Sequence, residues 1–235
     1  MRNVWPILDA DGLPNNATEP SARELTLAGR GSSLAVGRQH GDLVMRASVF
    51  VGTSVDGFIA RANGDFDFLP PGGGEPHGYD EFMATVDALV IGRKTFETVS
   101  TLATWPYGGK PVFVLSTRPL APTPPGAVVE RMSGAPAEIV SQLAARGFRH
   151  VYVDGGITIQ RFLQAGLIQC LIITRVPVLI GAGIPLFGAL QRDIALRHVA
   201  TRQYASGLVQ SEYAVERDHS DEASASDGAS QLVRA

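Results

Sequence analysis

Gly92-Arg93-Lys94-Thr95 combines a glycine, two cations and a hydroxyl directly after the buried-looking apolar run 88–91. The segment opens a predicted helix, and two cations in a first helical turn oppose the helix macrodipole. A bound phosphate would reverse that cost, because free backbone N–H groups and both cations would face an anion. The alternative is that both side chains turn back into water. We therefore interpret this segment as a candidate anion-binding loop.

Ser116-Thr117-Arg118 forms a second candidate loop, after the apolar run 111–115. Two hydroxyls and a guanidinium at the carboxyl end of a strand suit a phosphate. Serine, threonine and the following Pro119 are equally typical of a plain turn, so this segment alone does not decide between the two.

Asp154-Gly155-Gly156 forms a third candidate anion-binding loop, between the apolar run 150–153 and a predicted helix. Glycines at that junction let a diphosphate approach the backbone closely, and Ile157 and Thr158 open the helix with a further hydroxyl. Asp154 would repel an anion, so we assign it to a substrate or a ribose. A tight strand–helix turn that needs glycine only for its geometry is the alternative.

These loops need a sheet that brings them to one edge, and the pattern of the chain predicts one. Apolar runs that predict strands alternate with segments of helical pattern, and two long strands close the chain around the turn 205–207. This order predicts an α/β fold with a mainly parallel sheet and an antiparallel edge. The predicted strands are 47–52, 88–91, 111–115, 128–130, 150–153, 171–176, 194–204 and 207–215, and the predicted helices are 79–86, 94–102, 135–146 and 157–165.

Composition excludes several classes of function. The chain has 235 residues, a formal net charge of −3 and a single cysteine, Cys170. No basic excess exists to bind nucleic acid, and one cysteine excludes an intrachain disulfide framework or a multi-cysteine metal site. No apolar run is long enough for a membrane span, and no secretory signal is evident, so we expect a soluble, cytoplasmic protein. We predict a disordered leader or upstream extension over 1–44, one domain over 45–216 and a disordered tail over 217–235.

Five segments together carry a resemblance to a known family. They resemble the dihydrofolate reductase superfamily, and most nearly the C-terminal reductase domain of the bifunctional riboflavin-biosynthesis deaminase-reductase, over residues 45–216. The resemblance implies a three-layer fold with helices on both faces of the sheet, an NADPH-dependent reductase and a homodimer. The segments are 52–60 (Gly-Thr-Ser-Val-Asp-Gly-Phe-Ile-Ala), 92–97 (Gly-Arg-Lys-Thr-Phe-Glu), Leu115-Ser116, Asp154-Gly155-Gly156 and 177–187 (Pro-Val-Leu-Ile-Gly-Ala-Gly-Ile-Pro-Leu-Phe).

The same resemblance implies roles for single residues. The Gly-Arg-Lys-Thr and Ser-Thr-Arg segments would hold the cofactor phosphates, the Gly-Gly turn would pass under the diphosphate, and Gly52 and Ile59 would lie near the nicotinamide. Asp154 would bind substrate hydroxyls. Dihydrofolate reductases carry an acid on their first helix, but the matching position here is Gly78, which argues against folate. The zinc-binding motifs of the deaminase half are absent from the sequence.

Side chains for the chemistry itself are harder to assign. Hydride transfer needs alignment and exclusion of water, together with a proton from an acid or a water. Ser54 is a candidate for a hydrogen bond to the substrate, and Trp105 and Tyr107 could wall the pocket, although a packed loop is their alternative role. Asp65, Asp67 and Glu75 could supply an acid or belong to a solvated loop.

Three functions follow. The first is an NADPH-dependent reductase of a pyrimidine- or pterin-like small molecule, most like 5-amino-6-(5-phosphoribosylamino)uracil reductase, with dihydrofolate-reductase-like activity as the alternative substrate choice. The second is a non-catalytic nucleotide-binding protein on the same scaffold. The third is an interaction module without a ligand, against which the three anion-binding loops argue.

Overall fold

The computed structural model describes residues 45–70 and 76–216, and the leader and tail predicted from the sequence lie outside these ranges. Ten strands and four helices follow one another within the described residues. They are β1 (Arg46–Ser54), β2 (Phe58–Ala60), α1 (Tyr79–Ala84), β3 (Ala88–Gly92), α2 (Arg93–Val99), β4 (Pro111–Leu115), β5 (Val128–Met132), α3 (Pro136–Ala145), β6 (His150–Asp154), α4 (Gly156–Gln164), β7 (Cys170–Val176), β8 (Ile184–Pro185), β9 (Leu196–Gln203) and β10 (Val209–Val215).

The main sheet has eight strands in the order β5-β4-β3-β6-β1-β7-β10-β9. Every pair from β5 to β7 is parallel, whereas β10 pairs antiparallel with both β7 and β9. The predicted α/β class, the parallel sheet and the antiparallel terminal pair are confirmed. Because β4, β3 and β6 are parallel neighbours, their carboxyl ends and the three predicted loops share one edge.

Helices cover both faces of the sheet, which gives three layers. On one face, α3 and α4 bury Ile139, Leu143, Ile159 and Phe162. On the other, α1 and α2 bury Phe82, Met83, Phe96 and Val99. The central strands read as continuous apolar runs because both of their faces are covered; residues 88–91 of β3 are all fully buried.

Two short strands, β2 and β8, were not predicted and form a small antiparallel sheet of their own. Their pairing joins residues about 125 positions apart, so no local pattern announces it. This small sheet lies against the start of α4, since a Cβ placed on Gly156 would stand 3.0 Å from Cδ1 of Ile59. It therefore forms one wall above the sheet edge.

Two helices end earlier than the sequence predicted. The predicted helix 79–86 stops at Ala84, where the amides of Thr85 and Val86 make tighter i→i−3 bonds and the Thr85 hydroxyl also donates to the Phe82 carbonyl at 2.7 Å. The predicted helix 94–102 stops at Val99, and the next residues make tighter i→i−3 turns through the amides of Thr101 and Leu102. Within the ranges that the structure describes, no helix has both the length and the apolar character needed to cross a membrane.

Candidate active site

A cleft of about 910 Å³ opens at the carboxyl ends of β1, β3 and β6. Eleven of the residues that the sequence assigned to the cofactor or the substrate line it, and they come from three separate parts of the chain. They are Gly52, Ile59, Gly92, Arg93, Lys94, Thr95, Asp154, Gly155, Gly156, Ile157 and Thr158.

The first turns of α2 and α4 pack closely against each other at one side of the cleft. A Cβ on Gly92 would stand 2.9 Å from the Thr158 hydroxyl, and a Cβ on Gly155 would overlap the Thr95 hydroxyl. Gly155 also has a φ of 93°, which L side chains rarely adopt. Glycine at 92 and 155 therefore lets two sets of backbone N–H groups and two threonine hydroxyls come together, and we call these four residues the glycine–threonine cradle.

The cations beside the cradle differ in availability. Arg93 forms an ion pair with Glu97 one helical turn away, whereas Lys94 is exposed. Arg161, on α4, also lines the cleft and was not identified from the sequence. Its position one turn after Ile157 and Thr158 was the available signal, because i and i+4 share a helix face.

Ser116, Thr117 and Arg118 follow β4 on the same edge, but they are not among the residues that line the cleft. The Ser116 hydroxyl donates to the Arg118 carbonyl at 2.8 Å and accepts from the Arg118 amide at 3.0 Å. These two hydrogen bonds form a turn, which was one of the two alternatives for this segment. Thr117 and Arg118 are exposed. The phosphate role of this segment stays a prediction.

Ser54 also lies outside the lining of the cleft. It is fully buried, and its hydroxyl accepts from the Phe58 amide at 3.0 Å, which closes the β1–β2 turn. The expected hydrogen bond from Ser54 to a substrate therefore has no support in this geometry.

Asp56, in the same turn, ties two distant segments together. Its carboxylate accepts from the amides of Ile180 at 3.2 Å and Gly181 at 2.8 Å. The hydrogen bond with Ser54, followed by those two amides, lowers the pKa of Asp56 below its ordinary value. The resemblance of segments 52–60 and 177–187 to a known family thus has a structural basis: each segment holds the other in place.

Asp154 is the half-buried carboxyl of the cleft. Its Oδ1 accepts from the Gly155 amide at 2.7 Å. Burial raises the pKa of Asp154 to about 6, and the Gly155 hydrogen bond opposes this only in part. Because the pKa lies near neutrality, the group can both hold and release a proton in the range where a general acid works.

Three tyrosines surround this carboxyl, and only Tyr107 was considered from the sequence. Burial raises the pKa of Tyr79, Tyr107 and Tyr152, and the nearby Asp154 charge adds to the effect in each. All three line the cleft. Tyr79 and Tyr152 occupy positions that read as ordinary core in a helix and a strand, so sequence reasoning had no signal for them.

The other acids proposed from the sequence have partners elsewhere. Asp67 forms an ion pair with Arg61, and Asp65 accepts from the Asn63 side chain at 2.7 Å. Glu75 lies outside the described residues. Trp105 does not line the cleft but packs edge-on against Tyr107, with ring centroids 5.2 Å apart.

The fold is that of the dihydrofolate-reductase-like superfamily. The chain belongs to the RibD C-terminal domain family, whose model matches residues 48–210. This membership makes it a reductase of the riboflavin-biosynthesis type.

Comparisons with individual proteins agree with the family. The uncharacterised protein YwjB of Bacillus subtilis is 31% identical over 163 residues, which cover 68% of this chain and 92% of YwjB. A putative riboflavin biosynthesis protein from Shewanella sp. PV-4 is 38% identical with a TM-score of 0.67, over 74% of this chain and 100% of that one. Dihydrofolate reductase from Enterococcus faecalis, complexed with NADP(H), has the same fold at 17% identity, with a TM-score of 0.51 over 74% and 98% of the two chains.

Proposed function

We propose that the protein is an NADPH-dependent reductase that transfers hydride to a small pyrimidine- or pterin-like substrate. The observation that carries the proposal is the joining, in one cleft, of the glycine–threonine cradle with the half-buried carboxyl of Asp154. A cradle of this kind suits a diphosphate, and a buried carboxyl suits the proton that must accompany a hydride.

The residues present fit a dinucleotide. Gly92, Gly155 and Gly156 lack side chains where a Cβ would collide with Thr158, Thr95 and Ile59, so the backbone of both loops lies close together beside the cleft. Ile157 is 65% exposed although it lies in the cleft, and such an apolar side chain is ready to contact a ring. The Enterococcus faecalis relative was solved with NADP(H), which supports the same choice here.

We assign the preference for NADPH over NADH to the cations near the cradle. Lys94 lines the cleft, and Arg118 lies after the neighbouring strand β4. A 2′-phosphate adds negative charge that either guanidinium or ammonium can meet. Arg93 contributes less, because its guanidinium is already paired with Glu97.

At the other end of the cleft, this chain's residues orient the substrate ring and donate the proton that accompanies the hydride. The bound dihydronicotinamide supplies the hydride. Phe50, Tyr107 and Tyr152 wall the site and exclude water from it. With a pKa of about 6, Asp154 is mostly ionised at neutral pH but keeps a protonated fraction, and it is the carboxyl of this cleft that we assign to pass a proton to the substrate.

For the substrate we favour a ring like that of 5-amino-6-(5-phosphoribosylamino)uracil, which follows from the family. A dihydrofolate-reductase-like activity is the alternative. Gly78, the position where the resemblance places the pterin-binding acid, is the N-cap of α1 with a φ of 77°. Asp80 and Glu81 on that helix are exposed, which weighs against folate. We propose a homodimer, as in the family that the sequence resembles.

Two measurements on the full chain test this function. Isothermal calorimetry with NADPH and with NADH measures cofactor affinity, and loss of absorbance of NADPH on addition of ring substrates measures turnover. We expect saturable NADPH binding that is clearly tighter than NADH binding. Binding without turnover of any ring substrate would favour the non-catalytic nucleotide-binding protein, and absence of binding to folded protein would overturn the proposal.

A further inference from the structure

A second cavity, of about 540 Å³, lies on the α1 side of the sheet and adjoins the cleft. We call it the hairpin groove, because strands β9 and β10 form one of its walls. Its described lining includes Phe50, Gly78, Arg202 and Gln210. Phe50 lines both cavities, and Tyr79, the residue after Gly78, lines the cleft. The two cavities therefore meet at the start of α1.

The basic side chains of the hairpin groove stand at two different levels of the sheet. Arg46 and His150 are paired neighbours at the starts of β1 and β6. The cleft residue Gly52 follows Arg46 near the other end of β1, about 20 Å further along the extended strand. Arg202 instead belongs to a row of residues that pair across neighbouring strands, Gly52, Thr174, Gln210 and Arg202. Arg202 is therefore the basic residue of the described groove lining that is level with the cleft.

The guanidinium of Arg202 stands beside the start of α1. Its Nη1 atom lies 3.4 Å from the position that a Cβ on Gly78 would occupy. Gln210, which pairs with Arg202 across the hairpin, donates to the His77 carbonyl at 3.0 Å and to the Thr174 hydroxyl at 2.9 Å. These bonds fasten the hairpin to the residues just before α1. Arg202 is therefore held where the groove meets the cleft.

Arg202 is also available to a ligand. It is exposed, and it takes part in none of the ion pairs found among the described residues. Two acids line the same groove. Glu212 lies two residues past Gln210, toward Arg46, and its carboxylate accepts from the Cys170 thiol at 3.7 Å. Glu81 is exposed on α1 and forms no ion pair with Arg202.

Tyr79 lies between the cleft carboxyl and this arginine. Burial, followed by the nearby Asp154 charge, raises the pKa of Tyr79, so its ring is close to Asp154, while its backbone adjoins Gly78. Tyr79 is 8% exposed, and its hydroxyl has no hydrogen-bond partner among the described residues. A buried hydroxyl without a partner costs free energy, which a ligand that extends from the cleft to the groove recovers by accepting the bond.

We propose that Arg202 binds the phosphate of the substrate, whose reacting part lies beside Asp154. This inference rests on the proposed function and assigns a specificity residue to its phosphoribosyl substrate. The phosphoribosyl group extends from the cleft past Tyr79 to the groove. A guanidinium suits this role because it donates to two phosphate oxygens at once. Arg202 lies outside the five segments that resemble the known family, so the resemblance gives it no role.

The test uses two probes that differ only in the phosphate: 5-amino-6-(5-phosphoribosylamino)uracil and 5-amino-6-(ribosylamino)uracil. Calorimetry on the full chain in the presence of NADP⁺ gives a Kd for each probe. We expect the phosphorylated probe to bind at least about tenfold tighter. Equal or weaker binding of that probe overturns the proposal, and so does failure of both probes to bind a protein that binds NADPH. Failure of NADPH itself to bind identifies an error in the proposed function, and this inference falls with it.

Arg202→Ala removes the guanidinium from an exposed position. We expect the phosphorylated probe to bind about tenfold more weakly, with the Kd values of the phosphate-free probe and of NADPH unchanged. Arg197→Ala is the matched control, because Arg197 is exposed on the same strand and lines neither cavity. This control should leave every Kd unchanged. Equal losses for the two probes, or no loss for either, in Arg202→Ala overturn the assignment.

Turnover of the phosphorylated probe separates binding of the phosphate from a part in the chemical step. The phosphate is remote from the reacting atoms, so Arg202→Ala should raise KM about tenfold and change kcat little. Arg202→Lys keeps a positive charge and should recover part of the lost affinity, which a merely structural role would not predict. A fall in kcat with an unchanged KM overturns the assignment of Arg202 to the phosphate.

Discussion

Gly155 and Thr95 lie so close that a Cβ atom on the glycine would overlap the threonine hydroxyl. Gly155 lies between β6 and α4, whereas Thr95 lies in the first turn of α2. Their contact closes one side of the cradle, and the contact between Gly92 and Thr158 closes the other. The spacing between α2 and α4 is thus set at the place where we propose that the cofactor diphosphate binds.

Gly155→Ala is expected to destabilise the fold by about 1–3 kcal/mol and to weaken NADPH binding at least tenfold. The φ of 93° is strained for alanine, and the added Cβ pushes Thr95 away. Thermal unfolding and calorimetry measure the two effects. Gly147→Ala is the control: its φ is 94°, but nothing lies within 4 Å of its Cβ position, so it should lose stability and keep NADPH affinity. Equal loss of affinity in both variants would contradict the cradle.

Arg118→Ala is expected to weaken NADPH binding about tenfold and to change NADH binding little. Arg118 is exposed, and it takes part in none of the ion pairs found among the described residues. Its guanidinium is therefore available for a 2′-phosphate. Calorimetry with both nucleotides measures the difference, and an equal loss for the two would show that Arg118 does not read the 2′-phosphate.

Asp154→Asn is expected to stabilise the protein at neutral pH. The folded-state pKa is about 6, above the ordinary 3.8, so the native carboxyl holds its proton more tightly than the unfolded one. Native stability therefore falls as pH rises between about 4 and 6, and the asparagine variant escapes this loss. We expect a gain of about 1–2 kcal/mol at pH values above about 6.5, and none below about 3.5.

Urea unfolding of both proteins across that range measures the effect. A variant no more stable than the native protein at neutral pH would show that the Asp154 charge is not penalised by burial. The same variant should also lose turnover, since asparagine has no proton to give.

Asp56→Ala is expected to loosen the loop 178–183. The Asp56 carboxylate accepts the amides of Ile180 and Gly181, which lose this partner in the variant. Hydrogen exchange followed by mass spectrometry should show faster exchange in peptides that cover 178–183. Peptides from α3, far from this turn, provide the internal reference. Unchanged exchange at Ile180 and Gly181 would mean that Asp56 does not hold the loop.

The sequence predicted the main sheet well because its strands are buried on both faces. β4 has the predicted bounds, and the apolar run 88–91 lies within β3. In contrast, β2 and β8 pair through only two positions across about 125 residues, which no periodicity reveals. The order of the strands in the sheet could likewise not be predicted from local sequence patterns.

In the candidate site too, residues with a local sequence motif were predicted and residues placed by tertiary packing were not. The cradle residues were identified because glycine, threonine and cations at a strand–helix junction have a local chemical meaning. Tyr79 and Tyr152 were missed, because their position around Asp154 follows from packing of α1 and β6 rather than from any motif. Ser54 looked chemical in sequence, but its hydroxyl closes a turn with Phe58.

β1 lies in the middle of the sheet although it is the first strand of the domain. Its neighbours are β6 and β7, which begin about 104 and 124 residues later along the chain. During synthesis, this buried strand has no partner until residues 150–154 of β6 have left the ribosome, and its second partner is complete only at residue 176. The domain is therefore expected to fold late and slowly, and to depend on chaperones while its central strand is exposed.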